Sequence, residues 1–209
     1  MKETSKTFKD LTPKKKLQFI WDYYKIHIII TAVIICTIFS IIKTVRNNTS
    51  YDLYVAYINM TVNDSLTDSI QSISNLNIDS YTNLLITEDP QGENLEYAYA
   101  SSMKVMSAIS AEKLDVIIAD SYGISYANES DYLVDLNEYI EQDDSSLQKI
   151  LAPYFIYDST GKAYAIDVSK ISPFKDAGYE EPIYLGIISS KNHTNEKREL
   201  IEALFYSSN

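Results

Sequence analysis

The longest unbroken apolar pattern in the chain covers residues 26–42, IHIIITAVIICTIFSII, seventeen positions without a formal charge between Lys25 and Lys43. Thirteen of them are apolar and fall all round a helix, whereas a globular helix keeps a polar stripe. At 1.5 Å per residue the run covers about 26 Å, short of a hydrocarbon core of roughly 30 Å, and Tyr23, Tyr24, Thr44 and Val45 can lengthen it. The pattern predicts a transmembrane helix over 26–45, continuous with a juxtamembrane helix that starts near the Thr12-Pro13 cap and first-turn pair. Trp21, Tyr23 and Tyr24 fall where an interfacial aromatic belt belongs, and Lys14, Lys15, Lys16 and Lys25 fall at headgroup level. These seven are the expected membrane-interface residues, and the lipid bilayer is the first expected partner.

Past a polar linker at 46–50 the period changes, and strand and helix signals alternate to residue 209. Residues 51–62 mix alternation with a continuous apolar run, as an inner strand does. Asp64 or Ser65 caps a helix to about 76, residues 81–87 form a second strand, and 93–113 form a helix. Leu95, Tyr99, Ser102, Met106 and Ile109 line one face of that helix and are its expected core stripe. LDVIIA at 114–119 is apolar on both faces, which predicts a central parallel strand. Asp135-Leu-Asn-Glu138 opens a helix to about 142 in capping-box style. Residues 153–157 and 163–168 form a hairpin with Gly161 at a positive-φ turn position. Residues 183–189 are the last strand, and Thr194 caps a final helix with Leu200, Ile201, Leu204 and Phe205 inward. The order β-α-β-α-β-α-β-β-β-α predicts one three-layer α/β domain over 51–209, with a largely parallel or mixed sheet.

Charge divides the chain at the same place. Residues 1–25 sum to +4 and residues 47–209 to −17, within a total of −11. Seven lysines precede the apolar run and only Lys43 and Arg46 follow it closely, so the positive-inside bias puts the 1–25 stub in the cytoplasm and the domain outside the cell. No small-x-small cleavage site follows the run, and Val33-Ile34-Ile35 before Cys36 lacks the small residue that lipid attachment needs; an uncleaved signal anchor is expected. An acidic domain repels nucleic acid and anionic lipid surface, so nucleic acid is not an expected partner. Cys36 is the one cysteine, so the domain has neither disulfides nor a thiol nucleophile.

Signals for chemistry are few. Asp131, Asp135, Glu138 and Glu141 lie largely opposite the apolar Leu136 and Ile140, a solvated face without the glycine-punctuated loop of a calcium site, and no metal is expected. The turn at 158–162 lacks the second glycine and following helix of a phosphate loop, and no G-x-G-x-x-G occurs. The domain's one histidine, His193, stands beside the cap of the final helix, where loop exposure is its expected state. No cofactor and no enzymatic activity are expected. A cell-surface hydrolase would need His193 or two carboxylates to converge in a cleft.

The segment KLDVIIADSYGISYANESDYLVDLNEYI at 113–140 resembles the stretch of bacterial extracellular solute-binding proteins in which a "DVV-A" strand precedes a short helix and an "L-DL" segment. GKAYAI at 161–166 is similar to their "GK-YAIP" strand, and YLGIISSKN at 184–192 to their late "GI--SKN" unit. KKKLQFIWDYYK at 14–25 is similar to the cytosolic edge of single-span Firmicutes membrane proteins of unassigned role. The resemblance implies a reduced solute-binding lobe: twenty positions separate Tyr164 from Tyr184, too few for a second lobe, and Asp167 replaces the proline of the strand motif. A surviving ligand site belongs beyond the carboxyl ends of the parallel strands, at Asn59, Asp120, Ser121, Tyr122 and Asp167. The expected function is a membrane-anchored, non-catalytic module that binds a small solute. The alternative is an accessory, protein-interaction subunit of a membrane complex, marked by an exposed tyrosine-rich patch.

Overall fold

The structure, a computed structural model, describes residues 13–46, 51–87, 94–141 and 145–206; within the first helix the described side chains are those of Lys14, Trp21, residues 24–27 and residues 29–40. The expected cytoplasmic stub before Pro13 and the linker over 47–50 lie outside the described residues. The chain divides into two compact units, Met1–Ser50 and Tyr51–Asn209.

The first unit contains α1 (Pro13–Arg46), a helix of 34 residues. All its described side chains are exposed, including Trp21, Tyr24, Ile29, Val33 and Phe39. Among the described residues no helix is long and apolar enough to cross a membrane. The unbroken described part of the apolar run is residues 29–40, about 18 Å of helix.

The second unit is an α/β domain around a six-stranded mixed sheet of order β2-β1-β3-β6-β5-β4. In chain order it comprises β1 (Leu53–Ile58), α2 (Asp64–Ser74), β2 (Ile78–Leu84), α3 (Leu95–Ser110), β3 (Val116–Ala119), α4 (Ser121–Glu129), α5 (Leu136–Glu141), α6 (Ser145–Leu151), β4 (Phe155–Tyr157), β5 (Ala163–Asp167), α7 (Phe174–Ala177), β6 (Tyr184–Ile187) and α8 (Thr194–Tyr206). β1 lies between β2 and β3, parallel to both. The sheet is therefore not largely parallel: β6 runs antiparallel to β3 and β5, and β4 is antiparallel to β5. The tight 158–162 turn forces the last pair antiparallel, and only the two helical crossovers at the start of the domain keep strands parallel.

Alternation along β1 and β3 puts side chains on two faces. Leu53, Val55, Tyr57, Val116 and Ile118 join Leu66 and Ile70 of α2 and Leu200, Ile201, Leu204 and Phe205 of α8. Ala56, Ile58, Ile117 and Ala119 join Val105 of α3 and Ile124 and Ala127 of α4. With both faces covered, the inner strands read as continuous apolar runs.

Local signals moved several boundaries. Asn63, rather than Asp64 or Ser65, caps α2 by accepting from the Leu66 amide at 2.9 Å. Thr194 is the first residue of α8, and its hydroxyl donates to the Lys191 carbonyl. The expected core stripe of α3 is only partly inward: Ser102 and Ile109 are half-buried, with Ile109 packed on the core, but Leu95 is 47% exposed, Tyr99 68% and Met106 42%, while Ala98, Ser101 and Val105 are buried. Small residues let α3 sit close to β2, and the larger apolar row is left at the surface.

The 158–162 turn is held by Asp158, whose Oδ1 accepts from the Thr160 hydroxyl (2.7 Å) and from the amides of Thr160 (2.8 Å) and Lys162 (3.1 Å). These bonds, the Thr160 hydroxyl foremost, lower the carboxyl from 3.8 to about 2. A depressed carboxylate adds stability that is complete above 3.8 and lost as pH falls through about 2. Thr160→Val should raise the Asp158 midpoint in a side-chain NMR titration, and an unmoved midpoint would show that the hydroxyl does not set it.

Candidate functional site

The parallel strands β1, β2 and β3 end on one edge of the sheet, and an open cleft of about 840 Å³ lies beyond them. Its walls are Asn59–Thr61 after β1, the end of β2 with residues 85–87, Asn94 and Tyr97 of the α3 start, and Asp120 and Tyr122 after β3.

Three of the five expected site residues meet here: Asn59, Asp120 and Tyr122. Asn59 leaves β1 in the left-handed region (φ 58), which asparagine tolerates because its short amide bonds locally. That amide accepts from the Ile86 amide (2.7 Å) and donates to the Ile86 carbonyl (2.8 Å) and to Asp120 Oδ1 (3.1 Å). The same Oδ1 caps α4 by accepting from the Gly123 amide at 2.7 Å. Gly123 permits the approach, since a Cβ there would stand 2.9 Å from Ile58 Cγ2 and 3.0 Å from the Ala119 Cβ. Two turns and one helix start are thus tied together at the cleft floor. Tyr97 reinforces the wall, its hydroxyl donating to the Asn83 carbonyl.

The other two candidates stand apart. Ser121 is exposed as the first residue of α4 and does not line the cleft. Asp167 ends β5 with its carboxylate turned onto its own loop, accepting from the Ser169 amide (2.9 Å) and hydroxyl (2.5 Å). Of the interface set, Lys14, Trp21, Tyr24 and Lys25 are exposed on α1, and the side chains of Lys15, Lys16 and Tyr23 lie outside the described ones.

A second polar group was not expected from the pattern. His193 is not simply loop-exposed: its Nδ1 lies 3.0 Å from Asp115 Oδ2, which also accepts from the Tyr54 amide at 2.9 Å. Lys197 is fully buried, with Nζ 3.9 Å from Asp115 Oδ1 and bonded to the Ser190 carbonyl (3.0 Å) and hydroxyl (3.1 Å). Burial lowers the Lys197 pKa, opposed by the nearby Asp115 carboxylate. The cluster fastens the 188–193 loop and the start of α8 to the sheet. It does not line the cleft, and Asp115 at 1% side-chain exposure cannot reach a substrate. The signal was present in the sequence: Lys197 stands three and four residues before Leu200 and Ile201, on the apolar stripe itself.

Among the described residues no group of three or more His, Cys, Asp or Glu is disposed to hold a metal. The geometry defines an open mixed α/β sheet with a cleft at its parallel strand ends. Neither a protein-family model, nor a curated protein, nor a solved structure matches this chain.

Lys197→Met should cost about 3–5 kcal/mol, because Asp115 is left buried without its cation. Adding Asp115→Asn, which retains an acceptor for the Tyr54 amide, should recover much of that loss. Urea unfolding of the full chain checks both; a double variant as unstable as the single one would show that Lys197 acts by packing rather than by charge.

Proposed function

We propose that the chain is a membrane-anchored, non-catalytic binding module whose α/β domain faces the cell exterior and captures a small solute at its strand ends, in the manner of a reduced solute-binding lobe. The cleft carries this reading. It is preformed by bonds among Asn59, Ile86, Asp120 and Gly123, and its size suits a small organic ligand. Open α/β sheets bind ligands at this edge.

The anchor is supported by the apolar run in α1, whose described side chains are all exposed. A helix that exposes Ile29, Ile30, Val33, Ile34, Ile38 and Phe39 together is unfavourable in water and suited to lipid. The lysines before it and the acidic domain after it favour an inside stub and an outside domain.

The α3 surface favours a second reading, an accessory subunit that docks a protein of a membrane complex. Leu95, Tyr99, Met103 and Met106 form an exposed apolar row along the helix. Aromatic and methionine side chains are enriched in the cores of protein interfaces.

A thermal-shift screen of the full chain in detergent micelles, against sugars, amino acids, peptides and polyamines, separates the two. A ligand at a hundredfold over its Kd should add about 2.7 kcal/mol of stability. A shift that is lost in Tyr122→Ala supports capture in the cleft. No shift from any class, in a chain that unfolds cooperatively, would overturn it in favour of docking through α3.

A further inference from the structure

The charge balance of the cleft narrows the ligand class. We infer, resting on the capture reading above, that the cleft takes an organic cation bearing an ammonium group, held by the Asp120 carboxylate in a cleft that Tyr97 and Tyr122 also line. Among the described lining residues Asp120 carries the only charge, and no lysine, arginine or histidine is present to balance an anion. The remaining lining consists of neutral polar groups (Asn59, Thr61, Asn83, Thr87, Asn94) and apolar ones (Met60, Leu84, Leu85, Ile86). Such a wall solvates a small polar ligand but neutralises only a positive one.

Asp120 has capacity for this. Its Oδ1 is committed to the Gly123 amide and the Asn59 amide, whereas its Oδ2 makes no hydrogen bond among the described residues. The start of α4 contributes a positive partial charge of about one half, which the full charge of Asp120 outweighs, so the cleft floor stays net negative. Tyr97 and Tyr122 are both among the lining residues, and aromatic ring faces attract ammonium groups. The −17 charge of residues 47–209 raises the local concentration of cations around the domain and repels anions. A metal ion fits less well, because among the described lining residues one carboxylate, with no second acidic or histidine ligand, leaves most of a coordination shell unfilled.

Asp120→Asn isolates the charge. Asparagine is as good an N-cap as aspartate and still offers an oxygen to the Gly123 and Asn59 amides, so the cleft floor keeps its geometry. Titration calorimetry on the full chain in neutral detergent would use spermidine and glucosamine as ammonium probes, glucose as the neutral counterpart of glucosamine, and glutamate as an anion. We expect an ammonium probe to bind, with affinity falling about tenfold or more in Asp120→Asn and unchanged in Glu138→Gln, an exposed acid of α5. Binding of glucose or glutamate in preference to the ammonium probes would overturn the cation assignment and leave capture in the cleft standing. Ammonium binding that survives Asp120→Asn would overturn it as diffuse attraction to an acidic surface. Failure of every probe would overturn the cation assignment, while the capture reading falls only if the wider thermal-shift screen is also silent.

Discussion

The Asn59 side chain is the constraint on which the cleft depends. β1 is the inner strand of the parallel half of the sheet, and at its end the chain must turn away without leaving the backbone of residues 84–86 unpaired. Asn59 meets that demand by entering the left-handed region, donating its own amide to the Leu84 carbonyl and pairing its side chain with both backbone groups of Ile86. Its remaining amide hydrogen goes to Asp120, which links the end of β1 to the end of β3. One neutral side chain thus sets the spacing of the strand ends and fixes the carboxylate between them.

A second fixed point lies at the opposite edge of the same strands. Asp115, just ahead of β3, is buried against His193 and Lys197 and accepts from the amide of Tyr54 in β1. Buried charges are costly unless paired and hydrogen-bonded. Here the pairing brings β1, β3 and α8 to one place. β1 and β3 are therefore pinned at both ends by side chains distant in sequence. That pinning explains how a small sheet presents a preformed cleft.

Element types were legible in the sequence wherever the period was strong. β3 reads as an inner strand because VIIA is buried throughout, and α8 reads as a helix because its stripe at 200, 201, 204 and 205 faces the core. The expected stripe of α3 holds only in part: Ile109 packs on the core, whereas Leu95, Tyr99 and Met106 are exposed. Periodicity identifies an apolar stripe but not which neighbour it meets, and here Ala98, Ser101 and Val105 took the core because their size allows close packing. Strand order was not legible either, since antiparallel pairing of β6 with β3 depends on long-range contacts that no local pattern encodes. Asn59, Asp120 and Tyr122 could be placed together by the rule for strand ends, whereas Asp167 could not, because its nearest partner, Ser169, satisfies it first. The Asp115, His193 and Lys197 cluster joins residues distant in sequence, and only Lys197, standing on the apolar stripe of α8, hints at it.

Amide hydrogen exchange on Asn59→Gly tests the central claim most directly. Glycine retains the left-handed backbone at no steric cost and removes only the side-chain amide. If Asn59 holds the strand ends together, the Ile86 amide should lose protection outright and the Gly123 amide should lose it in part, while amides in the middle of β1 and β3 keep theirs. Full protection at Ile86 and Gly123 in that variant would contradict the account, and would show that the cleft floor is set by packing of the sheet alone.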